Sequence, residues 1–439
     1  MAFELLASLE MNRDRLLKKQ FDQLVRGRLQ IQAGEKQNPL EKEKSNLIFI
    51  LDSSGSMDEQ YYQTGKTKRQ IVFEAVNTLI DQIDNRDTVS IISFNSQAIL
   101  HADHILGGAK SGIKQALANY KRDYGATNFE VAMKLAFSIC KNRSGENHKC
   151  IFLTDGHSVQ GSDATALKFC KQLADNGVTT DSMGIGGDFK FDFMKRFSDL
   201  SGSKTENIIQ PNQAISVFKN IYSNTNNVFL KKVFINIHIE NKFRDIHFYM
   251  HYPEQKNLHK FIRKDKNGTL IQINAGDIEQ QSFKEYLFDF VIDTPNTASV
   301  KIGDCLISYD CPSENLKNQQ DKQSIYLNFS DLKNDEIQDG SIDEAFEDIK
   351  IMQLEEDLFK LLSQNKHKEA AIKLEKMAEM AANIGDYDKA KVYREQKNKI
   401  MRGENLTQAD LNITQYTSSR ASVVSRIVSR KADDQSVLF

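Results

Sequence analysis

From residue 47 to about 226 the chain repeats one pattern, a short apolar run followed by a stretch in which apolar residues recur every three or four positions. A run that is apolar at every position suits a strand buried on both faces, and the longer spacing suits a helix lying across it. The expected strands are 47–51 (LIFIL), 88–94 (TVSIISF), 97–101 (QAILH), 150–154 (CIFLT) and 178–185 (VTTDSMGI), with a short edge strand near 206–209. Helical spacing falls between them over 66–84, 111–120, 128–141, 164–176, 191–198 and 213–225. In the first of these, Ile71, Ala75, Thr78, Leu79 and Ile83 make one stripe for burial. Strand and helix in alternation imply parallel strands joined by crossover helices, so the expected fold class is α/β, a doubly wound and mostly parallel sheet.

After residue 227 the period changes to two. In FLKKVFINIHIE, Val233, Ile235, Ile237 and Ile239 alternate with other residues, and strand-like runs follow at 244–250, 269–273, 283–292 and 299–308, which predicts an antiparallel β-sandwich over 228–311. Leu29, Ile31 and Ala33 alternate in the same way, so residues 23–45 are expected to feed a strand to the sandwich, with the α/β domain of 46–227 inserted into it. Residues 1–22 are read as an N-terminal helix. The polar stretch 312–341, with YLNF as its one apolar cluster, reads as a linker. Helical spacing returns over 342–403, and the Ser- and Arg-rich residues 404–439 read as a flexible tail, with Ser422, Ser425 and Ser429 beside arginines.

Composition narrows the classes. Hydrophobic residues are 40% and charged residues 27%, as in an ordinary globular protein. With Lys plus Arg at 58 against Asp plus Glu at 60, no overall field draws the chain to nucleic acid or anionic lipid. No run reaches membrane-spanning length and the start lacks a secretory pattern, so a cytoplasmic location is expected. Cys140, Cys150, Cys170, Cys305 and Cys311 are scattered and contain no C-x-x-C pair, which leaves neither a disulfide framework nor a zinc module.

The candidate chemistry lies where LIFIL runs into Asp52-Ser53-Ser54-Gly55-Ser56-Met57. That loop leaves the carboxyl end of a central strand, where open α/β sheets place their ligands. Alternate residues of an extended segment point the same way, so Asp52, Ser54 and Ser56 can converge on one point. Two further loops, Gly125-Ala126-Thr127-Asn128 and Thr154-Asp155-Gly156, add a hydroxyl and a carboxylate. Two carboxylates and three hydroxyls are hard oxygen donors, which suits Mg2+, Mn2+ or Ca2+ and not a thiolate or imidazole zinc site. DSSGSM, GATN and TDG, in this order and on this strand pattern, resemble the von Willebrand factor A domain and its metal-ion-dependent adhesion site over about 46–227. The resemblance implies that Asp52, Ser54, Ser56, Thr127 and Asp155 hold a divalent cation, Mg2+ first, whose remaining position takes an Asp or Glu carboxylate of a partner protein. The flanking sandwich and helical segment resemble intracellular proteins of this family.

The expected function is a non-enzymatic, cation-dependent protein-binding scaffold. Two alternatives stand beside it: an architectural subunit of a larger assembly whose metal site is idle, and the substrate-binding component of a ubiquitin-ligase-type system, although no Cys/His module of a ligase is visible. A hydrolytic or phosphoryl-transfer enzyme is disfavoured, since GGAKSG (107–112) fails the phosphate-loop spacing and the candidate bases Glu130 and His157 are near the site in sequence only.

Overall fold

The computed structural model describes residues 5–34, 44–61, 64–121, 125–143, 147–156, 158–187, 189–208, 210–332 and 338–421. It opens with β1 (Leu5–Met11), β2 (Arg15–Leu17) and β3 (Gln23–Ala33). Strands therefore stand where a helix was expected over 1–22. Leu5, Leu9 and Leu16 have helix-compatible spacing, but β1 pairs with β3 along its whole length, from Leu5 opposite Ala33 to Met11 opposite Gly27. Ladder formation with a long partner overrides a weak local preference.

The α/β domain follows: β4 (Ser45–Asp52), α1 (Lys68–Ile80), β5 (Thr88–Phe94), β6 (Ala98–Leu106), α2 (Lys110–Leu117), α3 (Phe129–Asn142), β7 (Asn147–Thr154), α4 (Asp163–Asp175), β8 (Thr179–Ile185), α5 (Phe191–Ser201), β9 (Thr205–Ile208) and α6 (Gln213–Asn226). The sheet order is β6-β5-β4-β7-β8-β9, parallel except for the β5–β6 pair at one edge. Every residue of β4 is buried. Leu47, Phe49 and Leu51 share a core with Val72 and Leu79 of α1 and Phe218 of α6. Ile48 and Ile50 share the opposite one with Met133 of α3, Leu173 of α4 and Phe197 of α5. Thr78 leaves the expected stripe, half-buried with its hydroxyl donating to the Glu74 carbonyl.

The chain then returns to antiparallel strands: β10 (Val228–Glu240), β11 (Arg244–Tyr252), β12 (Lys256–Asn257), β13 (Ile262–Lys264), β14 (Gly268–Glu279), β15 (Phe283–Ile292), β16 (Ser299–Cys311) and β17 (Leu316–Ser330). One sheet runs β1-β3-β15-β11-β12 and the other β13-β14-β10-β16-β17-β2, around a single apolar core. β3 pairs with β15 from Gln23 opposite Ile292 to Gln32 opposite Phe283, so a strand that precedes the α/β domain joins strands that follow it, and the domain is inserted in the chain between β3 of one sandwich sheet and β10 of the other. The expected linker over 312–341 is a 15-residue strand, β17, within its described residues. It is polar because one face meets solvent, while Ile325, Leu327 and Phe329 alternate into the core. At the junction between α5 and the sandwich, Gly202 (φ 67°) and Gly276 (φ 73°) lie back to back. A Cβ on Gly202 would stand 2.3 Å from the Gly276 nitrogen, so this approach requires glycine.

Among the described residues four helices complete the fold: α7 (Gly340–Ser363), α8 (His367–Asn383), α9 (Tyr387–Met401) and α10 (Gln408–Ser419). α7 sets Ile342, Phe346, Ile349 and Met352 against Tyr249 and Leu287 of the sandwich, and Ile351 and Leu358 against α8 and α9. α10 falls in the expected flexible tail yet is ordered by polar contacts to the α/β domain. Asn412 donates to the carbonyls of Gly187 and Phe189, and Tyr416 to Glu206. Residues 422–439, with Ser422, Ser425 and Ser429, lie outside the described residues. Among the described residues no helix is long and apolar enough to cross a membrane.

Candidate metal centre

Asp52 ends β4 between β5 and β7, and the chain leaves it through a short 3-10 turn, Gly55–Asp58. The Asp52 carboxylate is fully buried. Its Oδ1 accepts the backbone N–H of Ser54 at 2.8 Å and its Oδ2 the Thr154 hydroxyl at 2.5 Å. The Ser54 and Ser56 hydroxyls are 3.2 Å apart, and Ser56 Oγ donates to Asp155 Oδ1 at 2.8 Å. Four of the five expected ligand residues are thus strung on hydrogen bonds at the carboxyl edge of the sheet. Thr127 is buried just before Asn128, which caps α3. The Thr127 carbonyl accepts the N–H groups of Val159 and Gln160 at 2.9 and 3.2 Å, strapping its segment to the loop after Asp155. Among the described residues its hydroxyl joins none of the four others, and a Cβ on Gly156 would stand 4.0 Å from Thr127 Oγ1.

Burial raises the Asp52 carboxyl to about 6, with the Asp155 charge adding to it against hydrogen bonds from Thr154 and Ser54. Asp155 is also raised by burial, against the opposing pull of Lys68 and Ser56. Two buried carboxylates that repel one another gain from a cation between them. The donors are all hard oxygens, and among the described residues no group of three or more His, Cys, Asp or Glu forms a different kind of centre. The residues fit Mg2+, Mn2+ or Ca2+.

Three side chains around the site were not anticipated. Lys68 at the first turn of α1 places Nζ 2.8 Å from Asp155 Oδ2 and 2.9 Å from Glu59 Oε2. Burial would lower the Lys68 amine, but the Asp155 and Glu59 carboxylates outweigh it and hold it above its ordinary value. Arg69 pairs with Asp58 at 2.9 Å and lies over the Tyr120 ring, whose hydroxyl donates to the Asp52 carbonyl at 2.6 Å. One signal was present: two cations in the first turn of a helix oppose its dipole and need a nearby anion. Glu130 accepts the N–H of Ser162 at 2.8 Å, and His157 lies outside the described residues.

A family model for the von Willebrand factor type A domain matches residues 47–157. The chain carries a von Willebrand factor type A domain. An uncharacterized protein of Synechocystis is 23% identical over 278 residues, 62% of this chain and 63% of that protein. Mouse inter-alpha-trypsin inhibitor heavy chain H2 is 26% identical over 215 residues, 46% of this chain but 22% of the heavy chain. The match thus spans less than two thirds of either relative. A solved von Willebrand factor type A protein from Catenulispora acidiphila superposes with a TM-score of 0.78 at 15% identity, covering 96% of this chain and 97% of that one. Its likeness extends the shared fold beyond the A domain to the sandwich and the helices.

Proposed function

We propose that the protein is a non-enzymatic, divalent-cation-dependent binding module that docks an Asp or Glu of a protein partner at the carboxyl edge of its A domain. The observation that carries this reading is the hydrogen-bonded row Asp52, Ser54, Ser56 and Asp155, a set of hard oxygens that is buried except at half-buried Ser56. Asp52, Ser54, Ser56, Thr127 and Asp155 would hold the cation, Mg2+ in the first instance. When bound, the cation supplies a positive charge that two carboxylates and neutral hydroxyls leave open to an anionic ligand. A binding role is favoured over hydrolysis because Glu130, a candidate base in sequence, is engaged with the Ser162 N–H. The five cysteines are all free and buried, which suits a reducing compartment such as the cytosol. The test is affinity capture of partners with the full chain in Mg2+, in EDTA, and as Asp52→Ala. The reading expects partners that appear in Mg2+ and vanish in both other arms; a set of partners unchanged across the three sinks it.

A further inference from the structure

The unexpected occupant of the site is Lys68. Its side chain is buried, its Nζ bonds the Asp155 oxygen not used by Ser56, and its stem crosses Gly186 at the end of β8, where a Cβ would stand 3.2 Å from Lys68 Cε. Thr67 caps α1 through a capping box with Gln70, and the Lys68 N–H donates to the Glu59 carbonyl, so the backbone that presents this lysine is fixed on both sides. The second carboxylate, Glu59, is exposed, and water screens it far more than the Asp155 pair. Arg69 is committed to Asp58.

We propose that Lys68 is a built-in counterion of the metal centre, trading affinity for the cation against the pull of the loaded site on a partner carboxylate. This rests on the reading above. Asp52 and Asp155 carry two negative charges and Lys68 returns one positive. The empty set is therefore less attractive to a divalent cation than two bare carboxylates. The same ammonium leaves a net positive charge once a divalent cation is present, where two carboxylates alone would leave none. An anionic ligand then gains from a site that the protein never lets become neutral. Lys68 is in this sense a specificity-determining residue for anions and a brake on metal binding.

Metal-free wild type, Lys68→Met, Lys68→Gln and Lys68→Arg are titrated with Mn2+ by calorimetry. Acetate, standing in for the partner carboxylate, is then added to the Mn2+-loaded forms while water proton relaxation reports displacement of metal-bound water. Both neutral variants should bind Mn2+ about tenfold more tightly or better, and their loaded forms should need about tenfold more acetate, whereas Lys68→Arg stays near wild type in both. The opposite signs exclude a simple loss of structure, which would weaken both. Equal Mn2+ affinity in wild type and the two neutral variants, or weaker binding in the variants, overturns the counterion while leaving the metal centre standing. Absence of Mn2+ binding in every folded form overturns the metal centre itself, and the counterion with it.

Discussion

Two buried charged clusters in this molecule are built from similar groups and balance differently. Where α7 and α9 meet the sandwich, His251 pairs with Glu285 at 2.6 Å and with Asp348 at 3.4 Å, and Lys389 reaches Asp348 at 3.4 Å. Burial would lower His251, but hydrogen bonds to Asp348 and Glu285 outweigh it and raise it to about 9, so it is a cation at neutral pH. Two cations then face two carboxylates, and Arg28 lies 3.9 Å from Glu285 as well, so both carboxylates are matched by positive charge. At the A-domain edge, two buried carboxylates face one buried ammonium amid hydroxyls, and negative charge is left over. A balanced cluster fastens elements together; an unbalanced one is a place for something that arrives from outside.

The contrast can be broken first by removing one partner from the edge. Asp155→Ala leaves Lys68 buried beside an exposed carboxylate only, and metal-free chemical unfolding should show a loss of about 3–5 kcal/mol. Indifference to this change would mean that Lys68 has another anchor. The seam cluster should respond to pH. Its folded-state His251 value of about 9 lies above the ordinary 6.5, so its stabilisation is complete below pH 6.5 and is lost as pH rises through 9. The stability gap between wild type and His251→Gln should therefore shrink by about 3 kcal/mol from pH 6 to pH 9.5 in parallel unfolding curves. A gap that is flat with pH would show the histidine to be neutral in the fold. Mg2+ at about a hundred times its dissociation constant should stabilise wild type by about 2.7 kcal/mol in thermal unfolding, and should leave Asp52→Ala where it was. Smallest is Thr67→Ala, which removes the cap presenting Lys68 and should cost about 1 kcal/mol in either metal state.

The α/β sheet was legible because its central strands are buried on both faces, which leaves runs such as LIFIL without a polar residue. The candidate metal loop was legible because Asp52, Ser54 and Ser56 are neighbours in the chain. What escaped depends on partners distant in sequence. β1 is a strand because of β3, and the long polar β17 because of β16. α10 has no apolar stripe, since Asn412, Thr414 and Gln415 are the buried side of that helix and polar hydrogen bonds hold it. Lys68 escaped for the same reason: a lysine at a helix start reads as solvated until the carboxylate just past the end of β7 is set beside it.

The insertion of the A domain between β3 and β10 has a mechanical side. Its two ends lead to sandwich strands, β3 before it and β10 after it, so a tug on its outer edge divides over two covalent tethers whose strands share one apolar core. A domain hung on one linker swivels freely under load. A domain held at both ends resists swivelling, and a partner docked at its rim as proposed would pull on the whole molecule.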